Sequence, residues 1–184
     1  MLAPDFTPFP LLTTNRLLLG QIEISDASEI LELRSNKKVM QYIDKENTKT
    51  IEEAEALIKR INDDARSNEA ITWGISLKEA PGKLVGTIGF WRMIKPHYRA
   101  EVGYMLQPNL WGKGLMNEAL KAVIDFGFNT IQLHSIEAHI NPNNVASAGI
   151  LEKNGFVREA YFKEDYFFRG KFLDSAIYSL LNKK

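Results

Sequence analysis

The sequence predicts a mixed fold, α/β or α+β, organised around one central sheet. Two observations carry this. Read by periodicity, the chain runs strand, helices, three strands, helix, strand, helix, two strands. No internal repeat, low-complexity tract or linker interrupts that order. A third observation sets the scale: 184 residues, 45% of them hydrophobic and 25% charged, suit one soluble domain with a sizeable core.

The opening stretch, "MLAPDFTPFPLL", holds three of the chain's prolines and no basic segment ahead of an apolar run. It is expected to be an irregular arm over 1–12, and not a signal peptide; residues 13–184 then form the domain. "RLLLGQIEI" (16–24) is an apolar run ending in alternation, a strand. In "SDASEILELRSN", Ser25 is placed to cap a helix with Asp26 and Glu29 in its first turn. "TIEEAEALIKRINDDARSN" opens with Thr50 and carries Glu53 three residues on, a capping box ahead of a long apolar stripe.

"AITWGISLK", "KLVGTIGFWRMI" and "RAEVGYMLQP" are β-rich and separated by turn signals, so they are expected as an antiparallel meander. A helix is predicted over 114–129, a strand over "SIEAHI", and a further helix in "NPNNVASAGILEKNGF", with Gly155 as its C-terminal signal. Two final strands, near 157–168 and 172–181, are joined by "RGK".

Lys and Arg number 23, as do Asp and Glu, so net charge is zero, which argues against a general nucleic-acid binder. No apolar run reaches membrane-spanning length. The absence of cysteine removes disulfides, thiolate metal sites and a thiol nucleophile. A cytoplasmic protein, monomer or homodimer, is expected. His97, His134 and His139 form no H-x-x-x-H pair, so no metal is expected. No G-x-S-x-G elbow supports a serine triad.

The feature with chemical content is "WGKGLMNEAL" (111–120), where Gly-Lys-Gly stands directly before a helix. A helix N-terminus presents free N–H groups and positive potential, and glycine gives an anion access to the backbone. A tight structural turn is the alternative. Neither familiar phosphate signature fits. Gly114 follows Lys113 where a P-loop needs Ser or Thr, and Leu115-Met116-Asn117 lacks the third glycine of a dinucleotide fingerprint.

"AEVGYMLQPNLWGKGLMNEAL", followed by "NPNNVASAGILEKNGF" and preceded by "TNRLLL", resembles the GNAT N-acetyltransferases, in particular the RimJ/RimL branch that acetylates ribosomal-protein N-termini. The resemblance covers about residues 13–181. It implies a mostly antiparallel mixed sheet with helices on both faces, splayed into a V between its fourth and fifth strands, with acetyl-CoA in the gap. Gly112, Lys113 and Gly114, flanked by Trp111 and by Leu115, Met116 and Asn117, would cradle the pyrophosphate. Met116 departs from the family's usual Gly or Ala.

The resemblance also implies the chemistry: direct acetyl transfer to a primary amine, with a protein N-terminal α-amine as one acceptor class, a small amine (a polyamine, an aminoglycoside or an amino-acid derivative) as the alternative, and a non-catalytic CoA-binding module as a further one. Glu101 is the candidate base; an α-amine, with a pKa of about 8, is easier to deprotonate than lysine. A strand glutamate facing solvent or paired with Arg99 is the plain alternative, and Glu164 the weaker candidate. Backbone N–H groups at Met105 and Leu106 are expected to serve the thioester and pantetheine. Asn144 either contacts pantetheine or merely caps its helix. Ser147 is the candidate acid for the departing thiolate, with Tyr104 and Tyr161 as alternatives. Asn141 is expected to shape the turn after the fifth strand. Trp73, Trp91 and Tyr42 either line the acceptor pocket or belong to the core.

Overall fold

A computed structural model describes residues 1–183. Eight strands form one sheet in the order β1-β2-β3-β4-β5-β6-β8-β7. They are β1 (Leu12–Thr13), β2 (Leu17–Gly20), β3 (Ile71–Leu77), β4 (Ala80–Ile94), β5 (Arg99–Leu106), β6 (Ser135–Ile140), β7 (Val157–Phe168) and β8 (Lys171–Leu181). Every neighbouring pair is antiparallel except β5 with β6. The helices are α1 (Ala27–Ser35), α2 (Ile51–Arg66), α3 (Leu115–Asp125) and α4 (Val145–Lys153).

Strand alternation divides the core between the two faces of the sheet. Ile71, Trp73 and Ile75 of β3, with Phe90, Ala100 and Val102, pack against Leu115, Met116, Leu120 and Val123 of α3 and Leu151 of α4. On the opposite face Leu84 joins Ile22, Ile30, Leu33, Ala54 and Ile58, the inner stripes of α1 and α2. Trp73 is therefore core, fully buried with its indole N–H donating to the Pro10 carbonyl at 2.7 Å.

The N-terminal arm is irregular but is not a detached extension. Leu2 and Phe6 are buried in the main core, and the Leu2 N–H reaches the Lys95 carbonyl. Three expectations need correction. The first long strand stops at Gly20, because the chain then turns to bury Ile22 under α1 and α2. Ser25 does not cap α1: the chain enters it through a 3₁₀ turn over Ile24–Asp26, in which the Asp26 carboxylate accepts the Glu23 N–H at 2.8 Å. The third helix is α-helical only to Asp125 and finishes as a π turn over Phe126–Thr130. At α2 the Thr50 hydroxyl accepts the Glu53 N–H as expected, while the Glu53 carboxylate reaches back to Lys49 rather than Thr50.

The junction of β5 and β6 positions the site. Their parallel pairing joins Arg99–Glu101 to Ser135–Glu137 and goes no further. Past Glu101, residues 102–106 keep their pairing with β4 but have none with β6. The sheet opens there. With the short β1 counted, the V lies between the fifth and sixth strands, the same two segments that the sequence numbers fourth and fifth.

Candidate active site

The two glycines of the turn before α3 have φ of +73° at Gly112 and +75° at Gly114, a region that costs other residues strain. A β-carbon on Gly112 would meet nothing within 4 Å, so this glycine is required by conformation and not by crowding. Gly114 takes the N-cap position of α3 without any side-chain cap. The first regular bond of the helix runs from the Glu118 N–H to the Gly114 carbonyl at 3.1 Å. The N–H groups of Leu115, Met116 and Asn117 precede it and point out of the helix end, a ready anion site.

That turn is held from below. Glu118 accepts hydrogen bonds from the Thr14 hydroxyl at 2.5 Å and from the Arg16 N–H and Nε at 2.7 Å each. Arg16 Nη1 in turn donates to the Lys113 carbonyl at 2.9 Å. The Trp111 indole N–H donates to the Leu106 carbonyl at 2.8 Å, tying the turn to the end of β5. The side chains of Leu115 and Met116 are buried in the core, so Met116 adds no bulk to the anion side of the turn. Asn117 likewise turns inward, accepting from Asn154. Any ligand contact from these three residues is through the backbone.

Glu101 and Tyr104 lie an odd number of positions apart on β5 and so face opposite sides of the sheet. Tyr104 packs toward the α3–α4 face, where its hydroxyl is 2.8 Å from Ser147 Oγ on α4. Burial pushes the Tyr104 pKa up to about 12, so it remains a neutral hydroxyl. Ser147 is buried beside it. Asn144 caps α4, its Oδ1 accepting the Ser147 N–H at 3.1 Å. Asn141 shapes the turn after β6 by accepting the Asn143 N–H.

Glu101 is only 5% exposed, so it is not a solvent-facing strand residue. Nor does it pair with Arg99, whose guanidinium binds Glu137 of β6. Glu101, Glu137 and His139 bring their oxygen and nitrogen atoms within 4.8 Å of one another. The sequence points to neither Glu137 nor a link between His139 and Glu101. Only the parallel register, which sets Glu101 beside Glu137, brings them together, although the E-x-H spacing on one strand face was readable. A cation at this cluster would have to compete with Arg99 for Glu137. Burial raises the Glu101 pKa above its usual 4.5; His139, Arg92 and Lys45 oppose that rise and Glu137 adds to it. A carboxylate so placed is a stronger base than usual.

The remaining candidates separate. Glu164 is exposed at a bulge within β7, its N–H donating to Asp174. Tyr161, on the same hairpin, is exposed and donates to Asp174. Trp91 is 47% exposed at a bulge of β4 and lies over Gly103, on the Glu101 side of β5. Met105 packs against the α1–α2 core and Leu106 is buried on the other side, leaving their backbone at the opened edge.

This geometry has known counterparts. The profile described as the acetyltransferase (GNAT) domain matches residues 16–157. The chain belongs to the GNAT acetyltransferase family. GNAT members are N-acetyltransferases that take acetyl-CoA as co-substrate, and this chain is one of them. It is 34% identical over 176 residues to the uncharacterized N-acetyltransferase YoaA of Bacillus subtilis, covering 96% of this chain and 99% of that one. The spermidine N(1)-acetyltransferase of Vibrio cholerae is 26% identical, with 92% and 95% covered. The crystal structure of a ribosomal-protein-S5-alanine acetyltransferase from Vibrio fischeri superimposes with a TM-score of 0.84 at 26% identity, covering 95% and 98%. Among the described residues no helix of this GNAT chain is long and apolar enough to cross a membrane.

Proposed function

We propose that this GNAT chain transfers acetyl from acetyl-CoA directly to an α-amine, with Glu101 as base and Ser147 as acid. The observation that supports this is the placement of a buried carboxylate and a part-buried hydroxyl pair on the two sides of β5, where the sheet opens. The backbone N–H groups of residues 112–117 would hold the pyrophosphate, and the opened edge at Met105 and Leu106 the pantetheine and thioester oxygen.

Glu101 takes a proton from the ammonium of the acceptor, directly or through water, and its raised pKa suits an amine titrating near 8. The amine nitrogen bonds to the thioester carbon, the carbon–sulfur bond breaks as the sulfur takes the Ser147 proton, and the nitrogen gives up its second proton, which restores the serine hydroxyl through solvent. The 2.8 Å contact between Tyr104 and Ser147 Oγ allows either hydroxyl to donate; with the neutral Tyr104 as donor, the serine proton is directed at the sulfur. Without cysteine the transfer needs no thiol acyl-enzyme.

Relatives act on a ribosomal-protein alanine and on spermidine, so the family leaves the acceptor open. Lys45 and Arg92 beside Glu101 disfavour a polycation and support the α-amine class. Thiol release from acetyl-CoA with N-terminal peptides, amino-acid derivatives and spermidine tests this reading. Turnover confined to spermidine would overturn the acceptor assignment, and the absence of thiol release with every amine would overturn the activity.

A further inference from the structure

The loop over 43–49 crosses the acceptor side of the sheet and is fastened at three points. The Tyr166 hydroxyl donates to the Asp44 carbonyl at 3.0 Å. Arg169 pairs with Glu46 at 3.0 Å. Arg34 Nε donates to the Thr48 hydroxyl at 3.1 Å. Between these anchors stands Lys45, its ammonium 4.6 Å from the centroid of the Trp91 ring. Trp91 is the extra residue of the β4 bulge, and it lies over β5 because position 103 has no side chain. Next in β4, Arg92 is the register partner of Glu101.

Cations outnumber carboxylates around Lys45. Arg34 and Arg60 are near enough to act on it, and burial with those two neighbours lowers its pKa. The carboxylate that acts on Lys45 from the other side is Glu101. Among the described residues, Lys45, Arg34, Arg60 and Arg92 make no ion pair with any carboxylate. Like charges gathered on an anchored loop beside the base cost free energy unless an anion joins them.

We infer that the cluster of Lys45, Arg34, Arg60 and Arg92 is an anion subsite, and that the acceptor carries a carboxylate close to its reactive amine. This rests on the acetyltransferase reading and narrows its substrate class. The carboxylate belongs either to a free α-amino acid or to an acidic side chain near a peptide N-terminus. Docked on Lys45, it would leave the amine facing Glu101 and hold it there for attack.

Matched acceptor pairs that differ only in this charge decide the matter. They are α-amino acids against their carboxamides, and N-terminal peptides with Asp or Glu at the second position against Asn or Gln. The expected result is at least a tenfold higher kcat/KM for the carboxylate member of one pair type, and which pair type responds identifies the source. In Lys45→Glu and Arg60→Glu, both at exposed positions, that preference should shrink at least tenfold while the KM for acetyl-CoA stays the same. Equal kcat/KM within twofold for both members of every pair would overturn the inference. So would a variant effect that falls equally on charged and uncharged acceptors. If acetyl-CoA raises the melting temperature but no amine is acetylated, the acetyltransferase reading fails first and the subsite with it.

Discussion

Replacing Glu101 by glutamine should reduce turnover and raise stability together. The side chain keeps its shape but loses the ability to take a proton. General base catalysis contributes about 100- to 10,000-fold, so kcat should fall by that factor, equivalent to roughly 3–5 kcal/mol of barrier. The KM for acetyl-CoA should change little, because the turn over 112–117 is on other elements. The stability effect follows from burial. Glu101 is 5% exposed, accepts no hydrogen bond from a described residue, and faces Glu137 across the parallel pair.

A carboxylate whose folded pKa is raised is disfavoured in its ionised form by the fold. Its destabilising effect is absent below the unfolded value of 4.5 and grows as pH rises through the folded pKa. Each tenfold change in proton affinity corresponds to about 1.4 kcal/mol. For a chain of this size, each kcal/mol relieved should raise Tm by about 2–4 °C. The assays are steady-state thiol release and thermal melts of both proteins from pH 4 to pH 8. The Tm gain should vanish near pH 4 and reach its plateau above the folded pKa. Turnover within threefold of the parent would remove Glu101 as base. A Tm that falls at pH 8 would show that Lys45, Arg92 and His139 outweigh burial, and would refute the energetic argument.

Four further outcomes follow from the same geometry. Ser147→Ala should lower kcat by about 10- to 100-fold, with a smaller loss for Tyr104→Phe; both losses should shrink with an acetyl thioester whose thiol has a lower pKa, since less protonation is needed on departure. Gly112→Ala should raise the KM for acetyl-CoA with the amine KM unchanged, because φ of +73° costs alanine about 1–2 kcal/mol even though no atom crowds the site; Gly112→Asn should restore part of the affinity. Arg16→Ala should lower Tm by about 2–6 °C in thermal melts, removing a charged pair to Glu118 and the bond to the Lys113 carbonyl together. Glu137→Gln removes a negative charge that raises Glu101 and frees Arg99 beside it, so the acidic limb of the kcat/KM profile should move to lower pH.

What the sequence revealed and what it withheld divide along a physical line. Local pattern was readable: the β3–β5 meander, the α2 stripe, the β7–β8 hairpin and the Gly-Lys-Gly turn all follow from periodicity and turn chemistry within short windows. Asn144 could be seen both as helix cap and as ligand contact, and its Oδ1 makes the cap. The misses come from longer range. Ser25 caps nothing because the chain enters α1 through a 3₁₀ turn that Asp26 closes on Glu23, while Ile22 packs into a core that includes Ala54 and Ile58, more than thirty positions away. Glu137 and His139 join Glu101 only through a three-residue parallel register across a gap of 36 positions, which no window contains. The Arg16–Glu118 strut spans 102 positions and leaves no local trace.

The parity of β5 explains why one strand can serve both halves of the reaction. Within an intact sheet, Glu101 and Tyr104 would be walled off from each other by paired backbone, one on each face. Pairing with β6 ends at Glu101, and beyond that point the outer edge of β5 borders the gap and not another strand. Beyond Glu101, β6 no longer closes off either face of β5. On the proposed assignment the base lies on the side of α1, α2 and the Lys45 loop, and the serine–tyrosine pair on the side of α3 and α4. A thioester lying in the gap would meet its nucleophile from one face and its proton donor from the other. On the proposed mechanism the short pairing of β5 with β6 is itself part of the site. A substitution that lengthened it, giving residues 102 and 103 partners on β6, would close the gap and abolish transfer while leaving every catalytic side chain in place.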